Sequence, residues 1–173
     1  MSEIFLSLGS NIIKNEFWIK KAISNLSSFC KIDIISSFYY TAPEGFSNQP
    51  WFCNIVCRGM TQYNPFELLL KIKEIENAMG FTRPFINGPR AIDIDILFYE
   101  SLQLSVPGLI IPHPNLDSRI FVLEPLVEVA PNFIHPTLKK SVLEIYKLFK
   151  QSRVEKILID KKVYTVSYTH LRA

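Results

Sequence analysis

Gly88-Pro89-Arg90-Ala91-Ile92-Asp93-Ile94-Asp95-Ile96-Leu97-Phe98-Tyr99 reads as a turn running into a buried strand that two acids interrupt. Side chains alternate along a strand, so Asp93 and Asp95 point to one face and Ile92, Ile94 and Ile96 to the other. Two like charges then converge, which costs several kcal/mol in desolvation and repulsion unless a proton or a cation neutralises them. All-oxygen ligation suits a hard cation such as Mg²⁺. A bare Asp-x-Asp also fits the solvent face of an edge strand. Here, however, the acids follow Gly-Pro-Arg, a turn that sets a permanent cation beside them. A nucleotide phosphate would connect these parts, Arg90 holding phosphate oxygens and the acids holding the metal that bridges them.

Outward from this strand the pattern is regular. Residues 3–8 predict a first strand closed by Gly9-Ser10-Asn11, and Ile19, Ala22, Ile23 and Leu26 fall on one helical face after it. Residues 31–40 and 51–60 predict two antiparallel strands joined by a long loop. Asn64-Pro65-Phe66-Glu67 is a helix start with cap, N1 proline and an acid at N3, and Leu68, Ile72, Ile75 and Met79 follow before Gly80. With residues 91–99 as the acid-bearing strand, the order is β-α-β-β-α-β. That is an α+β class, a ferredoxin-like βαββαβ core with an antiparallel sheet. Beyond it, residues 102–111 predict a hairpin or edge segment, 120–129 a helix with Pro125 kinking it or in its first turn, 141–149 an amphipathic helix, and 154–159 a final strand. These C-terminal helical and strand additions make three αβα layers.

The chain has 173 residues and 48% hydrophobic content, enough for one domain with a substantial core. Residues 1–160 are read as that single domain and 161–173 as a tail with no assigned function. A net charge of +3, from 19 basic and 16 acidic residues, implies neither a nucleic-acid surface nor a membrane surface. Met1-Ser2-Glu3 before a short apolar strand lacks the features of a signal peptide, and no stretch approaches a membrane span, so a cytoplasmic protein is expected. Cys30, Cys53 and Cys57 are read as reduced core residues rather than zinc ligands or a disulfide.

Cations cluster in sequence around the acidic strand: Arg83 and Arg90 before it, His113 and Arg119 after it. Singly each reads as a solvated surface residue; a ferredoxin-like order brings them to one end of the sheet, where four donors beside two metal ligands suit a polyphosphate. The segment 41–50 is too long for a hairpin turn and leads to Phe52 and Asn54, which share strand parity. A flat aromatic and a two-way hydrogen-bonding amide on one side suit a heteroaromatic substrate, although a core Phe and a capped Asn also fit.

These residues resemble the 6-hydroxymethyl-7,8-dihydropterin pyrophosphokinase family. Gly88-Pro89-Arg90 with Asp93-Ile94-Asp95-Ile96-Leu97 looks like the family signature. Supporting it are Leu6-Ser7-Leu8-Gly9-Ser10-Asn11, Ser36-Ser37-Phe38-Tyr39, the Asn48-Gln49-Pro50 segment to Asn54, and Pro112-His113 with Arg119-Ile120-Phe121. The resemblance implies transfer of the β,γ-pyrophosphoryl group of ATP, the co-substrate, to the hydroxymethyl oxygen of the dihydropterin, giving AMP and the pterin diphosphate in folate synthesis. It implies two Mg²⁺ ions on Asp93 and Asp95, with Arg83 and Arg90 sharing the catalytic work. By similarity Lys73, Glu76, Arg83, Arg90, Ile96, His113 and Arg119 serve ATP. Thr41, Ala42, Pro43, Glu44, Phe52, Asn54, Asp93 and Phe121 serve the pterin, which stacks between the two phenylalanines. The expected partners are these small molecules alone, with no nucleic acid and no membrane, and the expected state is a monomer.

The chain departs from the family pattern at Phe81, where many members carry Arg, and along Pro84-Phe85-Ile86-Asn87, which lacks the expected basic and Trp residues. Ile110 replaces a hydroxyl residue near the adenine, and Pro114 an aromatic beside His113. A palm-type nucleotidyltransferase or cyclase also holds two metals on a ferredoxin-like sheet, but Phe52, Asn54 and Phe121 and the lack of an extended basic groove argue against it. An RNA-binding module of this fold presents aromatics with Lys or Arg on its sheet, not paired acids.

Overall fold

The computed structural model describes residues 1–42, 48, 50–80 and 91–152, together with the backbone of 159–162. In chain order the elements are β1 (Ser2–Ser10), α1 (Asn15–Leu26), β2 (Cys30–Ile35), β3 (Phe38–Thr41), β4 (Phe52–Thr61), α2 (Pro65–Ala78), β5 (Asp93–Tyr99), the hairpin β6 (Leu104–Val106) and β7 (Leu109–Ile111), α3 (Ile120–Val129), α4 (Val142–Ser152) and β8 (Ile159–Lys162). The main sheet runs β5-β1-β4-β3-β8, with β2 also pairing β4, and its pairings are antiparallel. The βαββαβ core and the α+β class expected from the sequence are present.

Strand alternation divides the sheet into two faces. Ile4, Leu6 and Leu8 of β1, Cys53, Ile55 and Cys57 of β4 and Ile94 and Ile96 of β5 pack with Ile19, Ala22, Ile23 and Leu26 of α1 and Leu68, Ile72 and Ile75 of α2. Phe5, Val56, Leu97 and Phe98 face the other way, against Val122, Leu123 and Leu126 of α3 and Val142, Ile145 and Phe149 of α4. Leu97 and Phe98, adjacent in sequence, share one face because the β1–β5 register shifts between Phe5 and Leu6. This bulge bends the strand that bears the acids.

Local chemistry explains the helix ends. Asn64 Oδ1 accepts from the backbone N–H groups of Phe66 and Glu67, and Glu67 Oε2 accepts in return from the Asn64 N–H, with Pro65 in the first turn. Gly80, at φ +74°, lets the chain leave α2 through a conformation that a side chain would oppose.

Two elements differ from expectation. Residues 31–40 form two strands, because at Ser36 and Ser37 the chain bends: Ser36 Oγ accepts from the Val56 N–H while donating to the Ser37 carbonyl, replacing regular ladder bonds. α3 has the expected bounds, and Pro125 lies inside it rather than in its first turn, withholding the N–H that would meet the Phe121 carbonyl. A last strand is described at Ile159–Lys162, which shares residue 159 with the expected 154–159, the rest of that segment lying outside the described residues. Its backbone pairing with β3 at the sheet edge defines it, which apolar alternation does not report.

Candidate functional site

The register places the key residues in one row across the sheet. Asp93 of β5 lies opposite Gly9 of β1, Gly9 opposite Asn54 of β4, and Asn54 opposite Tyr39 of β3. One residue row further, Thr41 lies opposite Phe52. All share the strand parity of Phe5, Val56 and Leu97, so they belong to the face that α3 and α4 cover. The apolar packing on that face fills the other end of the strands and ends before this row.

Asp93 and Asp95 are partly exposed, the Asp95 side chain at 41%, while Ile94 between them is buried against α1 and α2. The acids therefore stand on one face with room beside them. His113 joins them because its backbone N–H donates to the Leu97 carbonyl at 3.0 Å, next to the β5 bulge. Its Nε2 lies 3.9 Å from Asp95 Oδ2. Its Nδ1 accepts from the Asn115 N–H at 3.2 Å, which assigns the proton of the neutral ring to Nε2, on the side of the acids. Burial, and then the Arg119 cation, push the His113 pKa below its ordinary value of 6.5, against a smaller opposing pull from Asp93. The ring is thus a neutral N–H donor at neutral pH.

Arg119 caps the start of α3 with extended backbone, and its guanidinium carbon lies 5.6 Å from the centroid of the Phe121 ring. Arg119 and Phe121 stand together at the end of α3 that reaches the site.

Glu76, only 1% exposed, lies at the open edge of β5, where its Oε1 accepts from the Ile94 N–H at 2.8 Å and its Oε2 from Lys73 Nζ at 2.8 Å. Desolvation raises its pKa against the pull of Lys73 and the Ile94 N–H. Lys73 itself is half exposed. Both stand next to the acid strand. The Ile96 side chain, 5% exposed, is in the core under α1 and α2, facing away from the acids, as strand parity predicts, so its backbone is what it offers at the strand edge.

Asn54 is 5% exposed and its Nδ2 is a buried donor without a partner among the described residues. A buried unpaired amide costs about 1–3 kcal/mol, which a ligand acceptor would relieve. Its Oδ1 is crowded by Gly9, where a Cβ would stand 2.5 Å away. In the sequence the signal of Gly9's place in the site is a glycine near the end of the strand, in Leu6-Ser7-Leu8-Gly9-Ser10-Asn11. Thr41 is buried and Ala42 exposed, at the start of the loop that separates β3 from β4. Arg83, Arg90, Pro43 and Glu44, and the departures at Phe81 and Asn87, lie outside the described residues.

The donor set fits a hard divalent cation. Two carboxylates on one face, partly exposed, supply a share of the oxygen ligands and leave positions for phosphate oxygens and water. Among the described residues no three His, Cys, Asp or Glu side chains converge as a self-sufficient metal cage. A hollow of about 320 Å³ lined by Ser27, Phe29, Cys30, Gln62 and Tyr63 lies at the opposite end of the sheet and contains none of these groups.

Residues 5–131 match the family described as 7,8-dihydro-6-hydroxymethylpterin-pyrophosphokinase. The chain belongs to this family. It is 43% identical over 144 residues to the 2-amino-4-hydroxy-6-hydroxymethyldihydropteridine pyrophosphokinase of Aquifex aeolicus, covering 83% of this chain and 90% of that one. The Bacillus subtilis protein of the same name is 39% identical over 127 residues, covering 72% and 76%. The folic acid synthesis protein FOL1 of Dictyostelium discoideum is 43% identical over 135 residues, but the match covers only 20% of that longer protein. In structure, the Plasmodium falciparum HPPK-DHPS with pteroate superposes with a TM-score of 0.71 at 18% identity, over 86% of this chain and 42% of that one, which supports the fold. No helix among the described residues is long and apolar enough to cross a membrane.

Proposed function

We propose that Asp93 and Asp95 hold two Mg²⁺ ions and that Asn54, Phe52 and Phe121 seat the pterin, for the pyrophosphate transfer that the family performs. The reaction follows from family membership: pyrophosphate passes from ATP to 6-hydroxymethyl-7,8-dihydropterin in folate synthesis. The pterin hydroxymethyl oxygen attacks the β-phosphorus, the bond from that phosphorus to the oxygen bridging the α-phosphorus breaks, AMP leaves, and the hydroxyl proton is released to solvent. The ions, when bound, neutralise the triphosphate and raise the electrophilicity of the β-phosphorus.

The observation that carries the residue assignment is the row Asp93, Gly9, Asn54, Tyr39 across one face. It supports a substrate lying flat over Gly9, its polar edge at the unpartnered Asn54 amide and its alcohol toward the acids. The two carboxylates orient the phosphates, and the Nε2–H of His113 and the Arg119 guanidinium donate to their oxygens. With Arg83 and Arg90 added, this chain's own contribution is positioning and charge stabilisation, with no covalent intermediate on the protein. Lys73 and Glu76 support the nucleotide from the edge of β5. Pro43 and Glu44 extend the pterin contacts that begin at Thr41 and Ala42, and Ile96 meets the adenine through its backbone. The same reading takes residues 1–160 as one catalytic domain, monomeric and cytoplasmic, acting on small molecules.

Purified protein supplied with ATP, Mg²⁺ and hydroxymethyl-dihydropterin should release AMP, and adding EDTA should stop the release. No AMP under these conditions would show the reaction to be wrong. Turnover that persists in EDTA would remove the metal assignment alone.

A further inference from the structure

Glu128 gathers three hydrogen bonds that the substrate contacts above leave without a purpose. It stands in the last turn of α3, and Ser37 donates to its Oε1 twice, from the backbone N–H at 3.1 Å and from Oγ at 2.7 Å. The Tyr39 hydroxyl donates to its Oε2. Glu128 is itself exposed, but Ser37 and Tyr39 are 4% exposed, so this carboxylate from another element meets donors that solvent hardly reaches. Charge-assisted bonds of this kind are about twice as strong as neutral ones. Desolvation, then the Glu128 carboxylate and the neighbouring Glu124, raise the Tyr39 pKa far above its ordinary value, so the phenol stays a donor.

The two ends of this clamp lead to the two sides of the pterin seat. Tyr39 lies opposite Asn54 in the sheet, and two residues on, Thr41 lies opposite Phe52. The other end is α3, whose first residues carry Phe121. That helix needs outside anchorage, because Pro125 removes the rung to the Phe121 carbonyl. Glu124, one residue before the proline, accepts from the Tyr146 hydroxyl at 2.9 Å and pairs with Lys150 at 2.9 Å, fixing α3 to α4. Glu128, three residues after it, fixes α3 to β3.

We propose that Glu128 is a positioning residue for the pterin: by clamping α3 to Ser37 and Tyr39 it sets the separation between Phe121 and the Asn54 and Phe52 wall. The inference rests on the pterin seat proposed above and adds to it a residue that touches neither substrate. Its effect falls mainly on the pterin, since most of the ATP side of the site is held by β5 and by His113 on the Leu97 carbonyl, which the clamp does not touch.

Steady-state kinetics with each substrate varied in turn test this on Glu128→Ala, Glu128→Gln, Tyr39→Phe and the Glu128→Ala/Tyr39→Phe double variant. Glu128→Ala should raise the KM for hydroxymethyl-dihydropterin about tenfold, the scale of a sub-ångström misplacement, with the KM for ATP within about twofold. Tyr39→Phe should raise the pterin KM less, the double variant should match Glu128→Ala, and Glu128→Gln, which keeps one acceptor oxygen, should recover part of the loss. Equal rises in both KM values, additive effects in the double variant, or a fall in kcat alone would overturn it. If Glu128→Ala does not fold, the same comparison is made with Glu128→Gln and Tyr39→Phe, and an unchanged pterin KM in both would overturn it equally. An inactive wild-type protein would instead defeat the pyrophosphokinase reading itself.

Discussion

The two faces of β1, β4 and β5 are made by the same strands yet finish differently. On the face toward α1 and α2, Leu8, Cys53, Ile55, Ile94 and Ile96 continue the apolar core to the strand ends. On the face toward α3 and α4, the core of Phe5, Val56, Leu97 and Phe98 gives way to Gly9, Asn54, Asp93 and Asp95. Burying one face completely is what allows the other to hold converging carboxylates and an unpartnered amide, groups that weaken a fold. Stability and chemistry are separated by strand parity, one residue apart.

The sharpest way to break this comparison is to truncate neighbours on β5. Asp93→Ala and Asp95→Ala should each lower kcat by about 10²–10³-fold or more, the scale on which losing a preorganised charge-stabilising group acts, measured by AMP release. Their urea midpoints should hardly move, because neither acid packs in the core; a large drop in midpoint would sink the division of labour. Ile94→Ala, between them, should do the reverse, costing about 2–5 kcal/mol of stability by urea unfolding while the folded fraction keeps its kcat.

A smaller effect sharpens the boundary in the row itself. Gly9→Ala introduces a Cβ 2.5 Å from Asn54 Oδ1, so the amide must turn away. Pterin affinity by calorimetry should fall about tenfold, corresponding to one misaligned hydrogen-bonded group, with ATP affinity unchanged. An equal loss in an Asn54→Ala background would show that the amide is not what the glycine protects.

The smallest expected effects concern pH. Burial raises the pKa of Glu76 above its ordinary 4.5, so the folded state holds this proton more tightly than the unfolded chain. Its contribution to stability is present below 4.5 and is lost as pH rises through the raised folded value. Glu76→Gln should remove that slope from unfolding free energies measured across the acid range, and an unchanged slope would contradict it. His135 has the opposite sign. Burial lowers its pKa against a weaker pull from Asp117, so stability is lost as pH falls below 6.5, and His135→Asn should flatten that part of the curve.

Much of this was legible because it is written in short-range pattern. The Asn64 cap, the helical spacing of Ile19, Ala22, Ile23 and Leu26, and the alternation around Asp93 and Asp95 each depend on residues a few positions apart, and the structure has all of them. The break at Ser36 was missed because it depends on Val56, twenty residues away. For Ile96, parity from Asp95 puts the side chain on the buried face, and the core under α1 and α2 is where it lies.

What the sequence determined by itself is the fold order, the acid pair on one strand face and the family, since each is carried by residue types at fixed spacing. Only the tertiary structure decided that Gly9 stands between Asn54 and Asp93, that Glu76 closes the edge of β5 and that Glu128 reaches Ser37 across 91 residues of chain. Strand register and helix packing bring those groups together, and no local pattern encodes either.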